Sequence, residues 1–249
     1  MADARTSAAR ELMTAFAERT RVGSRGAGRR YLWTDAFAVC NFLALGDDAL
    51  AVRLVDDVHH ALGRFRADDA RTGWISGASD ADGEAHPTRG GLRIGKPLRE
   101  RGPGEPLDPD AEWDRDGQYF HYLTKWAHAL DRVARATREP RYHAWARELM
   151  GAAGRAFVHG PRGRRRMAWK LSTDLSRPLV PSMGQHDPLD GFVTCVALDA
   201  TASDLGLART PSVADAAADF AEMIRPEELA PADPLGLGAI SLEPGGQFE

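Results

Sequence analysis

The sequence predicts an all-α, single-domain chain of antiparallel helical hairpins over residues 1–249. Three observations carry this: apolar residues recur at helical spacing wherever they are regular, no run alternates convincingly with the period of a strand, and helix punctuation separates the periodic segments. Residues 5–20 carry Leu12, Met13 and Phe16, and residues 34–45 carry Phe37, Val39, Phe42 and Leu43. Asp47 or Asp48 then caps a helix with the stripe Leu50, Leu54, Val58 and Leu62. Asp116 is expected to cap a helix over 117–137, with Tyr119, Leu123, Trp126, Leu130 and Val133 along one side. Pro140 separates it from a helix carrying Trp145, Leu149 and Phe157. Asp187-Pro188 reads as N-cap and first helical residue ahead of Leu189, Phe192, Val193 and Val196. Ser212 and Asp215 make a capping box for a last helix bearing Val213, Ala217, Phe220 and Ile224. The total is about seven helices. Connections at Gly46-Asp47 and Glu139-Pro140 are short enough to force antiparallel neighbours. Asp187-Pro188-Leu189 recurs as Asp233-Pro234-Leu235, an interval that suits one hairpin and its loops.

Composition narrows the function classes. A hydrophobic content of 43% is that of a globular protein, and a net charge of −4 gives no general attraction to nucleic acid or anionic lipid. The basic run 162–166 lies beside Gly160, Pro161 and Gly163 and reads as a solvated loop. Cys40 and Cys195 fall in predicted helices and read as reduced, buried thiols. The first residues contain no apolar leader core, and no apolar run reaches the roughly 18 residues of a membrane span. The expected location is cytoplasmic, with neither nucleic acid nor membrane as partner.

Two connections are too long for simple linkers. From 64 to 112 no period is sustained, and twelve of the 34 residues from 73 to 106 are Gly or Pro. A second irregular stretch, 159–186, holds Trp169, Lys170, Asp174 and Arg177. Loops of this length serve a site or are disordered, and the presence of Trp74, Ile75, Leu92 and Ile94 favours ordered loops over a cleft.

Chemistry concentrates at two helix starts. Residues 113–126, W-D-R-D-G-Q-Y-F-H-Y-L-T-K-W, hold carboxylates, rings, a histidine and a lysine, and 181–191, P-S-M-G-Q-H-D-P-L-D-G, repeat the mixture. Rings stack on the apolar faces of sugars while carboxylates bind hydroxyls, so the expected ligand is a neutral or acidic saccharide, with Arg93 or Lys125 toward hydroxyls or a carboxylate. Trp33, Trp74, Trp113 and Tyr119 are the stacking candidates. Asp35, Asp114, Gln185, His186, Asp190, Arg93, His121 and Lys125 are candidates for polar contacts. The helical step also gathers His121, Lys125, His128 and Arg132 within about 60°, as a solvated basic stripe or a cavity wall. Asp116 and Asp187 are the candidate catalytic pair, one acid and one base or nucleophile. Asp35, Asp114, Asp116, Asp187 and Asp190 all fall at predicted helix starts, so each also reads as a cap.

Two other motifs are weaker. Residues 90–96, G-G-L-R-I-G-K, have the spacing of a phosphate-binding loop, but Pro97 stands at the magnesium-binding hydroxyl position and no apolar strand precedes them. His59-His60 and His186-Asp187 resemble the metal ligands of HD-type phosphohydrolases, yet Pro188 puts Asp187 at a helix start rather than inside one.

The hairpin succession, with Y-L-W-T-D-A-F at 31–37, W-D-R-D-G-Q-Y at 113–119 and Q-H-D-P-L-D-G at 185–191, resembles the six-hairpin glycosidase superfamily over most of residues 10–240. The resemblance implies an (α/α)6 toroid with a funnel-shaped sugar site at the helix N-termini. Glycoside hydrolysis is the leading activity, and no cofactor or metal is called for. Sugar 2-epimerisation by His186 and His121, or carbohydrate binding without turnover, are the alternatives. About seven helices do not close a ring of twelve, so a shortened ring lacking C-terminal hairpins is expected, with self-association through exposed apolar faces.

Overall fold

The computed structural model describes residues 4–24, 28–180, 182, 184 and 186–226. Among them are α1 (Ala4–Thr20), α2 (Leu32–Ala44), α3 (Asp48–Leu62), α4 (Asp80–Ala85), α5 (Pro109–Asp114), α6 (Phe120–Thr137), α7 (Pro140–Phe157), α8 (Asp187–Leu205) and α9 (Ala214–Met223). The seven helices expected from periodicity are all present. The additions, α4 and α5, are six-residue helices in the first long loop, started by Ser79 and Asp108, whose side chains accept amide hydrogens of their first turns.

Three hairpins, α2/α3, α6/α7 and α8/α9, make the body. Within the first two the connections are three and two residues, so the members run antiparallel. Across hairpins, α2 packs on α6 and α6 on α8, while α7 contacts both α8 and α9. The central helix is α6, which also touches α3. Its heptad-like run of Phe120, Leu123, Trp126, Ala127, Leu130, Val133 and Ala134 is buried. Trp126 meets the α3 side of the core, where its Nε1 donates to His59 Nε2 at 3.1 Å. Burial pushes the His59 imidazole down to about 3, so it stays neutral and accepts this bond.

Several terminal details differ from expectation. α1 buries no residue: Leu12 is 72% exposed, and only Met13, Phe16 and Ala17 lean on the core. Asp47 holds the N-cap position of α3, but its carboxylate is paired with Arg10 at 3.1 Å rather than with helix amides. His186, not Asp187, is the N-cap residue of α8, and Val213 that of α9, where Ser212 Oγ accepts from Ala214 N. The second Asp-Pro-Leu triplet lies outside the described residues.

Five short strands accompany the helices among the described residues. β1 (Gln118–Tyr119), β4 (Lys170–Leu171) and β5 (Pro178–Val180) form an antiparallel sheet in the order β1-β4-β5. β2 (Val158–His159) pairs with β3 (Arg166–Met167). Strands of two or three residues are too short to show an alternating pattern. Their consequence is positional, because β1 pairs with β4 immediately before α6 and so ties the second long loop to the mouth of the central helix.

The two long loops are ordered against each other in the described residues. Arg71 donates to Asp69, to Glu100 at 2.7 Å and to Asp174 at 2.8 Å, and Glu100 accepts the Thr173 amide at 2.5 Å. Gln118 accepts from Leu92 N at 2.8 Å and donates to Gly90 O and Thr173 O, joining both loops to β1. The basic run is the exposed turn from β2 into Arg166 of β3, apart from the half-buried Arg165, which pairs with Asp219. No helix of the described residues is long and apolar enough to cross a membrane.

Candidate functional site

The first turns of α2, α6 and α8 meet at one end of the molecule, and the residues there are mostly aromatic or ionisable. Trp33 from α2 lies 5.0 Å from Tyr122 and 5.9 Å from His121, centroid to centroid. His121 stacks on Tyr119 of β1 at 5.4 Å and lies parallel to Trp169 at 5.9 Å, and Tyr119 and Trp169 are themselves in contact at 4.9 Å. Tyr31 and Tyr122 share a hydroxyl–hydroxyl hydrogen bond of 2.6 Å. Trp33, His121, Tyr122 and Trp169 are half-buried, so the cluster forms a lined mouth with ring surface still open to solvent.

Asp187 enters this mouth from the start of α8. Its Oδ1 is 3.9 Å from His121 Nδ1, and its Oδ2 has no hydrogen-bond partner among the described residues. Burial, then the charge of Asp190 one turn on, pushes its carboxyl up to about 7. Asp190 is fully partnered by contrast: Lys125 Nζ donates to it at 2.6 Å and Thr124 Oγ1 at 2.9 Å. Burial pushes His121 down to about 4, leaving a neutral imidazole with Nδ1 unpartnered in the described residues. A protonatable acid and a neutral base thus sit side by side near pH 7.

Below the mouth, α2, α6 and α8 enclose a cavity of about 200 Å³. Lys125 and His128 line it with Phe37, Cys40 and Leu198. The basic stripe read from the sequence is therefore divided: His121 is in the ring cluster, Lys125 and His128 face the cavity, and Arg132 is exposed.

Asp116 is not where a catalytic partner of Asp187 would stand. It is fully buried and does not cap α6, whose N-cap residue is Tyr119. Its carboxylate accepts from Arg93 Nη1 at 2.5 Å and from the amides of Gly95, Lys96 and Gly117 at 3.0, 3.4 and 3.1 Å. Arg66 approaches it at 3.7 Å. The loop that resembles a phosphate-binding loop does cradle an anion, and the anion is Asp116. Arg93 is spent the same way, its remaining donors going to the carbonyls of Arg64 and Ala61.

Other expected site residues are also placed elsewhere. Trp74 is 2% exposed, flanked by Arg64 and Gly83, and cannot present a face to a ligand. Asp35 is buried beside Arg30 and accepts the Tyr31 amide at 3.1 Å, with burial raising its carboxyl to about 6. Asp114 ends α5 rather than starting a helix, and its side chain is exposed. Trp113 is 62% exposed and lies against Lys96, whose Nζ is 4.5 Å from the ring centroid. His186 is half-buried ahead of Asp187, and Gln185 lies outside the described residues. Trp169, Tyr31, Tyr122 and Lys96 were not among the ligand contacts expected from the sequence, although Trp169 was noted in the second long loop. Tyr31 and Tyr122 lay inside the quoted aromatic stretches, whereas Trp169 reaches the site only through the β1–β4 pairing.

His59 and His60 diverge as the helical step requires: His59 is buried against Trp126, and His60 pairs with Glu84 at the surface. No group of three or more His, Cys, Asp or Glu is arranged to hold a metal among the described residues. No family model, curated protein or solved structure matches the chain.

Proposed function

We propose that the chain is a carbohydrate-active protein of the glycoside hydrolase-like kind, with Asp187 as its proton donor at the ring-lined mouth of α2, α6 and α8. The observation that carries the reading is the Asp187 carboxyl, buried, with one oxygen unpartnered in the described residues, and raised to about 7 within reach of stacked rings. Cleaving a glycosidic bond needs a carboxylic acid that keeps its proton near neutrality beside a carboxylate that does not. Asp190, fixed by Lys125 and Thr124, takes the place of Asp116 as the second carboxylate of the pair. Trp33 and Trp169, both half-buried, are the surfaces on which a pyranose ring stacks.

The hairpin arrangement supports an arc of an (α/α)6 toroid, since α2, α6 and α8 neighbour one another in turn and their partners α3, α7 and α9 pack outside them. Helix N-termini then converge on the mouth, and the tied loops form its rim. Two free cysteines fit a cytoplasmic setting.

One observation favours sugar 2-epimerisation as the second reading. His121 is a neutral base with Nδ1 unpartnered in the described residues, and Asp187 beside it is an acid. Two assays on a panel of oligosaccharides and free sugars separate the readings: release of reducing ends reports hydrolysis, and uptake of deuterium at C2 from D2O reports epimerisation. Asp187→Asn is expected to abolish reducing-end release by a factor of about 10² or more while sugar binding persists. Binding without any turnover in the parent chain would assign it to the non-catalytic class, and absence of binding at millimolar sugar would end the carbohydrate reading.

A further inference from the structure

Lys96 is an ammonium whose charge is unspent. Its residue is only 8% exposed, yet Nζ has no ion-pair or hydrogen-bond partner among the described residues. It lies between two rings, 4.5 Å from the centroid of Trp113 and 5.6 Å from that of Tyr31. Ring faces offset the loss of hydration only in part. Neighbouring cations are committed: Arg93 to Asp116, Lys125 to Asp190, Lys170 to Glu112 and Arg101 to Glu112. The backbone that carries Lys96 is fixed, because Asp116 accepts its amide at 3.4 Å and Arg66 donates to its carbonyl at 2.7 Å.

The position of this cation matters as much as its isolation. Tyr31 is hydrogen-bonded to Tyr122, which packs against Trp33 and His121, so Lys96 flanks the same ring cluster that holds Asp187. Trp113 is the exposed outer wall. A sugar entering the mouth therefore passes a half-desolvated ammonium with no carboxylate partner. Such a group strongly favours an anion that brings its own charge and oxygen acceptors.

We infer that Lys96 anchors a carboxylate of the substrate, and that the substrate class is an acidic saccharide bearing a hexuronate at this subsite; the inference rests on the carbohydrate reading above. Lys96 is a specificity residue, and its ammonium donates to the uronate oxygens while the rings of the mouth hold the pyranose.

The test titrates the purified chain with D-glucuronate and, separately, D-glucose, following tryptophan fluorescence at pH 7. The parent chain is expected to bind glucuronate at least about tenfold more tightly at low salt, and the gap is expected to narrow in 0.5 M NaCl. Lys96→Met is expected to bring the two sugars within about twofold of each other, because it removes the ammonium and keeps the apolar stem between the two rings. Equal binding of both sugars by the parent overturns the inference and leaves the carbohydrate reading standing. A gap that survives in Lys96→Met overturns it as well, and so does a salt-independent gap should that variant fail to fold. Binding of neither sugar overturns both readings.

Discussion

Asp116→Asn separates a structural clasp from a catalytic carboxylate. The substitution keeps the side-chain shape and an oxygen for the Gly95, Lys96 and Gly117 amides, all of which donate to Oδ1, but leaves the Arg93 guanidinium, 7% exposed, without its anion and sets an NH2 donor against it in place of Oδ2. Removing one partner of a buried pair costs roughly 3–5 kcal/mol. That is a large share of the ~5–15 kcal/mol that holds a domain folded. At roughly 2–4 °C per kcal/mol for a chain of this size, the melting temperature is expected to fall by about 6–20 °C. The assay is thermal unfolding by circular dichroism at pH 7, with Asp114→Asn as an exposed control expected to lie within about 0.5 kcal/mol of the parent. Replacing both partners, Asp116→Leu with Arg93→Met, is expected to recover part of the loss, since neither buried charge is then stranded. A fall below about 2 °C, with sugar turnover abolished, would refute the clasp and return Asp116 to the reacting groups.

Three further outcomes follow from named contacts. The Asp187 carboxyl is raised to about 7 in the fold from an ordinary 3.8, so the folded state holds the proton more tightly and its contribution to stability declines as pH rises through that window. The melting temperature of Asp187→Asn relative to the parent is accordingly expected to climb between about pH 4 and pH 7 and then level off; a constant difference in scanning calorimetry would contradict the buried acid. Gly91 has φ +77° and faces Gln118 Oε1 so closely that a methyl group would overlap it. Gly91→Ala should break the bond from Leu92 N to Gln118 and expose the loop amides to faster hydrogen exchange, whereas unchanged exchange would show that the loops do not depend on this stitch. Leu130→Ala, at the middle of α6 with no exposed surface, is expected to cost about 2–5 kcal/mol in urea unfolding, and a cost under 1 kcal/mol would argue against α6 as the core helix.

The hairpins were legible because their apolar faces repeat every three to four residues and short Pro- or Gly-marked connections leave one way to pack them. α1 was legible as a helix but not as a peripheral one, since a stripe of Leu12, Met13 and Phe16 does not say how much of it finds a neighbour. Asp187 and the ring-rich stretches were legible as residues that gather at helix starts, and the fold brings Asp187, His121 and Trp33 to one end. Asp116 was misread because Asp-Gly ahead of an apolar stripe looks like a helix start; what displaces that start to Phe120 is the pairing of Gln118 and Tyr119 with Lys170 and Leu171, about fifty residues away. The same distance hid where Trp169 lands, although its loop was expected to serve a site. Arg93 and Lys125 looked like two free cations in sequence, and only the fold shows them neutralised while Lys96 is not. α4 and α5 carried visible starts, Ser79 and Asp108-Pro109, but six residues give no period to confirm them.

The 90–96 loop is a receptor that is born occupied. Amide hydrogens and a guanidinium do not distinguish a phosphate from a carboxylate, so the spacing that selects a nucleotide-binding loop also selects this one. The difference is tethering: Asp116 is delivered by the same chain, twenty-one residues from Gly95, at an effective concentration in the millimolar range or above. A nucleotide in solution would have to evict a ligand that never diffuses away, and in doing so would unpair a buried arginine. The loop's affinity for anions is thereby converted from a capacity to bind into a latch between two distant stretches of chain.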